Sequence, residues 1–185
     1  MKYLKVAEGI KSNAGGFEYK INEVNIAKVW NPLASTPEEM GGFSFSNEEN
    51  ILRWLVRGTI LYDVILPLDA EVIKINHKAT PNGVFRSNKI ILTNPREITD
   101  DMALNLYYKS NFPQKTYYKA LAGLVVKMRN KTANQIIKDK INVDNIDEAI
   151  SEYKEFADLS QKGSIEVYNN YYHYLCLLED IKSKK

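Results

Sequence analysis

The chain has 185 residues, of which 44% are hydrophobic and 26% charged, and its formal net charge is +2. These values are typical of a globular protein with a hydrophobic core, and they exclude a disordered chain or a strongly basic nucleic-acid-binding domain. No apolar run approaches the roughly 18 residues of a membrane-spanning helix, and the single cysteine, Cys176, has no internal disulfide partner. The sequence therefore predicts a cytoplasmic protein that makes no membrane contact.

Residues 1–98 are predicted to form an α+β region with a small mixed or antiparallel sheet. Near its start, Phe17, Tyr19 and Ile21 alternate with polar residues, which indicates a strand with one buried face. The strongest strand signals come later, in the runs TILYDVIL, AEVIKIN and VFRSNKIILT. Pro81, Asn82 and Gly83 lie between the last two runs and are typical turn residues, so these runs are predicted to form an antiparallel hairpin.

The segment GGFSFSNEENILRWLVRG contains a transition from strand to helix. Phe43 and Phe45 alternate with Ser44 and Ser46, as in a half-buried strand. Ser46 is followed three residues later by Glu49, which matches a capping box at the start of a helix. The pattern also partly resembles the Gly-x-Ser-x-Gly turn of hydrolases, but the fifth position is serine. We therefore predict that Ser46 caps a helix, and leave the role of Ser44 open.

Residues 99–185 are predicted to form a helical, bundle-like subdomain, packed with residues 1–98 as one unit. Thr99 is a predicted helix N-cap that is followed by two aspartates, and Pro113 precedes a second helix. Three further segments with helical periodicity follow, namely TANQIIKDKI, DNIDEAISEYKEFA and GSIEVYNNYYHYLCLLEDIKS.

The helical half carries a basic block followed by an acidic block. Residues 109–140 contain eight Lys or Arg and one Asp, whereas residues 141–180 contain nine Asp or Glu and two Lys. Lys115, Lys119 and Arg129 are predicted to lie opposite the apolar stripe of their helix. Neighbouring helices normally meet through their apolar stripes, so we expect these three residues to form an exposed patch that binds a partner.

The sequence lacks the motifs of several common metal, nucleotide and catalytic sites. One cysteine and two distant histidines, His77 and His173, do not have the spacing of a zinc site, so no metal is predicted. Neither a phosphate-binding P-loop nor a dinucleotide fingerprint is present. The sequence shows no pattern that combines a nucleophile, a general base and a group that orients the base. It therefore favours a non-catalytic protein without a cofactor, and an enzymatic activity stays an open alternative.

Three short motifs nevertheless show a resemblance. GGFEYKINEV, GGFSFSNEENILRWL and LYDVILPLDAEVI occur in an order that resembles an uncharacterised domain of phage and prophage proteins, over about residues 15–91. Tyr19, Phe43, Phe45 and Tyr62 fill matching positions, while Ser44 replaces the family's histidine. Such domains are remotely similar to ADP-ribosyltransferase-like folds, which hold NAD in a cleft between two small sheets.

The resemblance leads to two hypotheses about function. The favoured one is a phage- or prophage-type non-catalytic protein that binds a host protein or nucleoprotein complex and inhibits a defence system. The alternative is an NAD-using transferase or a degenerate relative of one. For the alternative, the candidate ligand cleft consists of Tyr19, Ser44, Tyr62 and Arg86. Direct binding of nucleic acid is less favoured, because an acidic block follows the basic one.

Overall fold

Seven antiparallel strands form one sheet in the computed structural model, which describes residues 1–12, 16–77, 80–155 and 163–184. The strands run in the order β2-β7-β4-β1-β3-β6-β5 across the sheet. Their bounds are β1 Tyr3–Ala7, β2 Val24–Ile26, β3 Phe43–Asn47, β4 Ile60–Ile65, β5 Val72–His77, β6 Thr80–Ser87 and β7 Lys89–Glu97.

Helices dominate the second half, which confirms the predicted α+β class. In the described residues, the first half contains α1 Pro37–Met40 and a 3₁₀ helix Ile51–Arg57. The second half contains α2 Asp100–Lys109, α3 Gln114–Val126, α4 Asn130–Lys140, α5 Ile146–Glu155 and α6 Ile165–Lys182. The hydroxyl of Thr99 accepts a hydrogen bond from the N–H of Met102 at 3.2 Å, so its predicted capping role is confirmed. The chain divides into a sheet unit, residues 1–51 and 57–98, and a helical unit, residues 52–56 and 99–185.

A single residue, Asn88, separates β6 from β7, although the two strands were predicted as one continuous strand. Four inter-strand steps lie between them in the sheet, about 19 Å in a flat arrangement, whereas one residue spans less than about 4 Å. The sheet must therefore curl until β6 and β7 meet at Asn88. Both backbone groups of Asn88 are paired at this corner, its N–H with Glu71 at 3.3 Å and its carbonyl with the N–H of Ala27 at 2.8 Å.

The curled sheet encloses an aromatic core. Phe45 and Phe85 stack with ring centroids 5.6 Å apart, and the ring of Tyr19 lies 5.7 Å from that of Phe43. Apolar side chains from several strands complete this interior, namely Ala7, Tyr62, Val64, Ile90 and Leu92. The predicted burial of Phe43 and Phe45 on one face of a strand is confirmed.

Ser46 does not cap a helix, contrary to the sequence-based prediction. It lies inside β3, paired with Leu4 and Val84, and its buried hydroxyl donates a hydrogen bond to the carbonyl of Gly83. The helix that follows is a 3₁₀ helix beginning at Ile51, four residues later than the capping box implies. Pairing on both sides of β3 extends the strand through Asn47 and removes Ser46 from the helix terminus.

The predicted antiparallel hairpin is confirmed, but its turn is displaced. β5 pairs with β6 from Val72 opposite Ser87 to His77 opposite Thr80, which puts the connection at residues 78–79, outside the described residues. Gly83 lies within β6, where a Cβ atom would come 2.1 Å from the Cβ of Asn50. The glycine is therefore required by close packing and not by a turn.

Candidate functional site

Helix α6 is held in the helical unit by one side of its surface. Its first turn is capped by Ser164, whose hydroxyl accepts a hydrogen bond from the N–H of Val167 at 3.4 Å. On the inner side Tyr171, Tyr174 and Leu178 are buried. The hydroxyl of Tyr174 lies 3.0 Å from the carbonyl of Asn130, so the helix has a defined rotation about its own axis.

The opposite side of α6 presents aromatic and apolar groups to solvent. Ile165, Tyr168 and Tyr172 are 81%, 46% and 45% exposed, and the two tyrosine rings lie 4.5 Å apart. Because residues three, four and seven apart share a helix face, these side chains form one surface with their exposed neighbours. We call it the tyrosine face, and it consists of Ile165, Tyr168, Asn169, Tyr172, His173 and Cys176.

The tyrosine face is unusual because it carries no formal charge. Residues 167–178 contain no Asp, Glu, Lys or Arg, in a chain in which 26% of all residues are charged. The solvent-facing side of a helix normally carries charged residues, which keep it hydrated. This face is absent from the residues predicted to be functional, although the uncharged twelve-residue run within a predicted helix was a usable signal in the sequence.

The four residues of the predicted ligand cleft lie on two different faces of the sheet. Tyr19 and Tyr62 belong to the enclosed core, where the hydroxyl of Tyr62 donates to the carbonyl of Gly9 at 2.9 Å. Ser44 and Arg86 are cross-strand partners on β3 and β6. Because Phe43, Phe45 and Phe85 point inward, strand alternation directs Ser44 and Arg86 to the other face. The structure thus brings the residues together in two pairs.

A lysine that the sequence analysis overlooked lies beside these residues. Lys5 is buried on β1, and its Nζ donates to the carbonyl of Ser44 at 2.6 Å and lies 5.3 Å from the ring centroid of Tyr19. Burial, together with the positive charge of Arg86, lowers the pKa of Lys5 to about 8. In the sequence Lys5 stands between the apolar Leu4 and Val6, a pattern that favours an outward-facing lysine, so its burial is a finding of the tertiary structure.

The lysines of the predicted basic patch are ion-paired with α5. Lys115 is exposed, as expected from the sequence, and Lys119 is half-buried, but neither is a free cation. Lys115 Nζ lies 2.5 Å from Glu152 Oε1, and Lys119 Nζ lies 3.2 Å from Glu152 Oε2. Lys115 also approaches Glu148 and Lys119 approaches Glu155, at 3.7 and 3.8 Å.

The reason lies in the packing of α5 directly against α3. Glu152 is buried at their border, where burial alone would raise the pKa of its carboxyl. The hydrogen bonds and charges of Lys115 and Lys119 outweigh that effect and hold the pKa below its usual value. Arg129 follows the end of α3 and directly precedes α4, so it does not share the helix face of the two lysines.

The chain matches no protein-family model, no curated protein and no solved structure. None of the helices in the described part of the chain combines the length and the apolar character that crossing a bilayer requires. Among the surfaces of the described residues, the tyrosine face has the composition of an interface, because it is uncharged and rich in tyrosine.

Proposed function

We propose that this chain is a non-catalytic protein that acts by binding another protein, and that the tyrosine face of α6 is its main contact surface. The observation that carries the proposal is the exposure of Tyr168 and Tyr172 on a helix side without formal charge. The cores of protein interfaces are depleted of charged residues and enriched in tyrosine.

Tyrosine suits such a surface because its ring buries a large area and loses little conformational entropy on binding. A few central aromatic residues usually supply most of the binding energy of an interface. Tyr168 and Tyr172 are adjacent in space, which fits a central pair surrounded by smaller contacts from Asn169, His173 and Cys176.

The identity of the partner is proposed from the sequence resemblance. The order of the three motifs within residues 15–91 resembles that of phage and prophage domains. We propose accordingly that the protein works in the cytoplasm of a bacterial host, and that its partner is a host protein or nucleoprotein complex of a defence system. Binding through α6 would then inhibit that system without any chemical step.

The experiment places a photo-crosslinking amino acid at Asn169, in the centre of the tyrosine face, and in a second variant at Glu18, an exposed residue of the sheet unit. We expect a specific cross-linked product in host cells from position 169 and none from position 18. The captured protein is then purified, and its Kd is measured directly against the parent chain and its variants.

The matched variants separate the tyrosine face from general surface aromatics. Tyr168→Ser with Tyr172→Ser should weaken binding at least about 30-fold, the effect of losing an interface hot spot of about 2 kcal/mol. Tyr108→Ser removes a tyrosine that is 62% exposed on α2 and should change the Kd less than twofold. Equal affinities for the parent and the double variant, or no cross-link from position 169, would refute the proposal.

A further inference from the structure

We infer that the tyrosine face receives a cationic segment of its partner, in which arginine or lysine side chains alternate with apolar ones. This inference rests on the proposed function, because it names the chemistry of the partner at the same surface. It is carried by the charges that border the face and by the aromatic rings between them.

Carboxylates border both ends of the tyrosine face. Glu166 follows Ile165 in the first turn of α6, and Asp180 lies one helical turn beyond Cys176 on the same side. Both residues are exposed, and neither forms an ion pair with a cation among the residues that the structure describes.

No positive charge of α6 offsets these carboxylates at the face. The one basic residue of the helix, Lys182, pairs with Asp147 at 2.9 Å, and Glu179 is neutralised by Lys154 at 3.0 Å. Residues 165–181 thus carry three carboxylates and no Lys or Arg, and the next cation without an ion pair along the described chain, Lys184, lies one turn beyond Asp180. The charges of the helix itself therefore favour cationic groups over anionic ones along this face. Phosphate groups would be repelled too, so the face does not fit a nucleic acid.

The aromatic rings strengthen the preference for cations. A guanidinium or ammonium group binds over the electron-rich face of a tyrosine ring, and arginine also stacks on it. Tyr168 and Tyr172 lie between Glu166 and Asp180 along the helix, so one cationic segment can contact a ring and extend to a carboxylate. Apolar side chains of the partner would contact Ile165 and the ring edges.

The spacing limits the length of the segment. Asp180 lies fourteen positions after Glu166, which is about 21 Å along a helix. An extended segment of about seven residues covers this distance. A peptide of eight residues in which arginine and leucine alternate is therefore the probe, and the same peptide with glutamate in place of arginine is its opposite-charge counterpart.

Binding is followed by the amide chemical shifts of the full chain during titration with each peptide. We expect the arginine peptide to shift the resonances of residues 165–180 in a saturable manner, and the glutamate peptide to leave them unchanged. Raising the salt concentration from 50 to 500 mM, from about a third to about three times physiological ionic strength, should weaken the arginine peptide's binding several-fold because it screens surface charges.

Two double variants, one at the tyrosine face and one elsewhere on the surface, test the role of the carboxylates. Glu166→Gln with Asp180→Asn should raise the Kd of the arginine peptide at least threefold. Glu18→Gln with Asp144→Asn removes the same charge from exposed positions outside the face and should change the Kd by less than a factor of 1.5. All of these positions are solvent-exposed, and circular dichroism checks that each variant is folded.

The outcomes distinguish this inference from the proposed function. Equal binding of both peptides, no binding of either, or an unchanged Kd in the Glu166 and Asp180 variant would overturn the cationic-segment inference. The proposed function would still stand if Tyr168→Ser with Tyr172→Ser abolished binding of the cross-linked host protein. If that protein bound the tyrosine variant as tightly as the parent, both would fall.

Discussion

Lys5 is a charged group placed in an aromatic interior. It shares the inward face of β1 with Tyr3 and Ala7, and its described contacts are one carbonyl and one tyrosine ring. A buried ammonium without a carboxylate partner destabilises the folded state, because its lost hydration is only partly replaced. The lowered pKa of Lys5 has the same cause.

Replacing this lysine by an apolar side chain of similar length should stabilise the fold. We expect Lys5→Met to raise the free energy of unfolding at pH 7 by about 1–2 kcal/mol, since removing the desolvation cost outweighs the lost hydrogen bond to Ser44. Chemical denaturation measures the change. Lys20→Met, at an exposed lysine, is the control and should change stability by less than about 0.5 kcal/mol. A destabilised Lys5→Met variant would contradict the prediction.

The same residue should make stability depend on pH in the alkaline range. The pKa of Lys5 falls from 10.5, its ordinary value, to about 8 on folding. Between these values the unfolded chain binds a proton that the folded chain has released, so the free energy of unfolding increases with pH. We expect the free energy of unfolding of the parent minus that of Lys5→Met to rise by roughly 1 kcal/mol per pH unit between pH 8.5 and 9.5. The buried tyrosines whose pKa is raised, such as Tyr19 and Tyr171, lower stability with increasing pH in both proteins and therefore cancel in this difference. Parallel profiles for the two proteins would show that Lys5 is not the titrating group.

Ser46 can be tested in the same way, because its two interpretations, a buried strand residue and a helix cap, predict different stabilities for the same substitutions. If Ser46 is a buried strand residue whose hydroxyl donates to the carbonyl of Gly83, Ser46→Ala should lower the free energy of unfolding by about 1–2 kcal/mol. Ser46→Asp should lose more than about 3 kcal/mol, because it buries a charge. A helix cap would tolerate Asp as well as Ser. Thermal denaturation of both variants decides, and an Asp variant as stable as the parent would restore the capping interpretation.

At the scale of elements, α4 begins without a cap of its own. The residue before it, Arg129, makes no capping hydrogen bond with its side chain. The carboxylate of Asp100 on α2 takes that role, accepting from the N–H groups of Lys131 at 2.7 Å and Thr132 at 3.0 Å. It also accepts from the Thr132 hydroxyl at 2.7 Å. A non-local side chain thus satisfies the free N–H groups of the helix.

Removing this cap should loosen the start of α4. We expect Asp100→Ala to cost about 1–2 kcal/mol and to speed amide hydrogen exchange at Lys131 and Thr132. Asp101→Ala is the matched control, since it removes the same charge from the first turn of α2 and breaks only an exposed ion pair with Lys131. That control should cost less than about 1 kcal/mol. Equal losses in the two variants would argue that the negative charge in the first turn of α2, and not the cap on α4, accounts for the stabilisation.

For the whole molecule, the NAD alternative makes a separate prediction. Tyr19 and Tyr62, which a cleft would need at its surface, are buried in the aromatic core, while Ser44 and Arg86 lie on the other face. We expect calorimetry to show no saturable heat when NAD is titrated to millimolar concentration into the full chain, and no transfer of labelled ADP-ribose to protein or nucleic acid. Saturable binding with release of nicotinamide would make the enzyme hypothesis the favoured one.

Local signals in the sequence determined the types of most elements. Alternation of Phe43 and Phe45 identifies a strand because its period of two is a property of the extended backbone. The cap at Thr99 and the helical periodicity after it identify helices for similarly local reasons. The α+β class follows from these signals without knowledge of any long-range contact.

Only the tertiary structure decided how those elements meet and which surfaces stay exposed. The Ser46–Gly83 hydrogen bond and the pairing of Lys115 with Glu152 join residues 37 positions apart. The exposure of Tyr168 and the burial of Tyr171 likewise depend on which side of α6 the other helices cover. Local propensity carries no information about such contacts, because the free energy of packing is determined by residues that the chain brings together from distant positions.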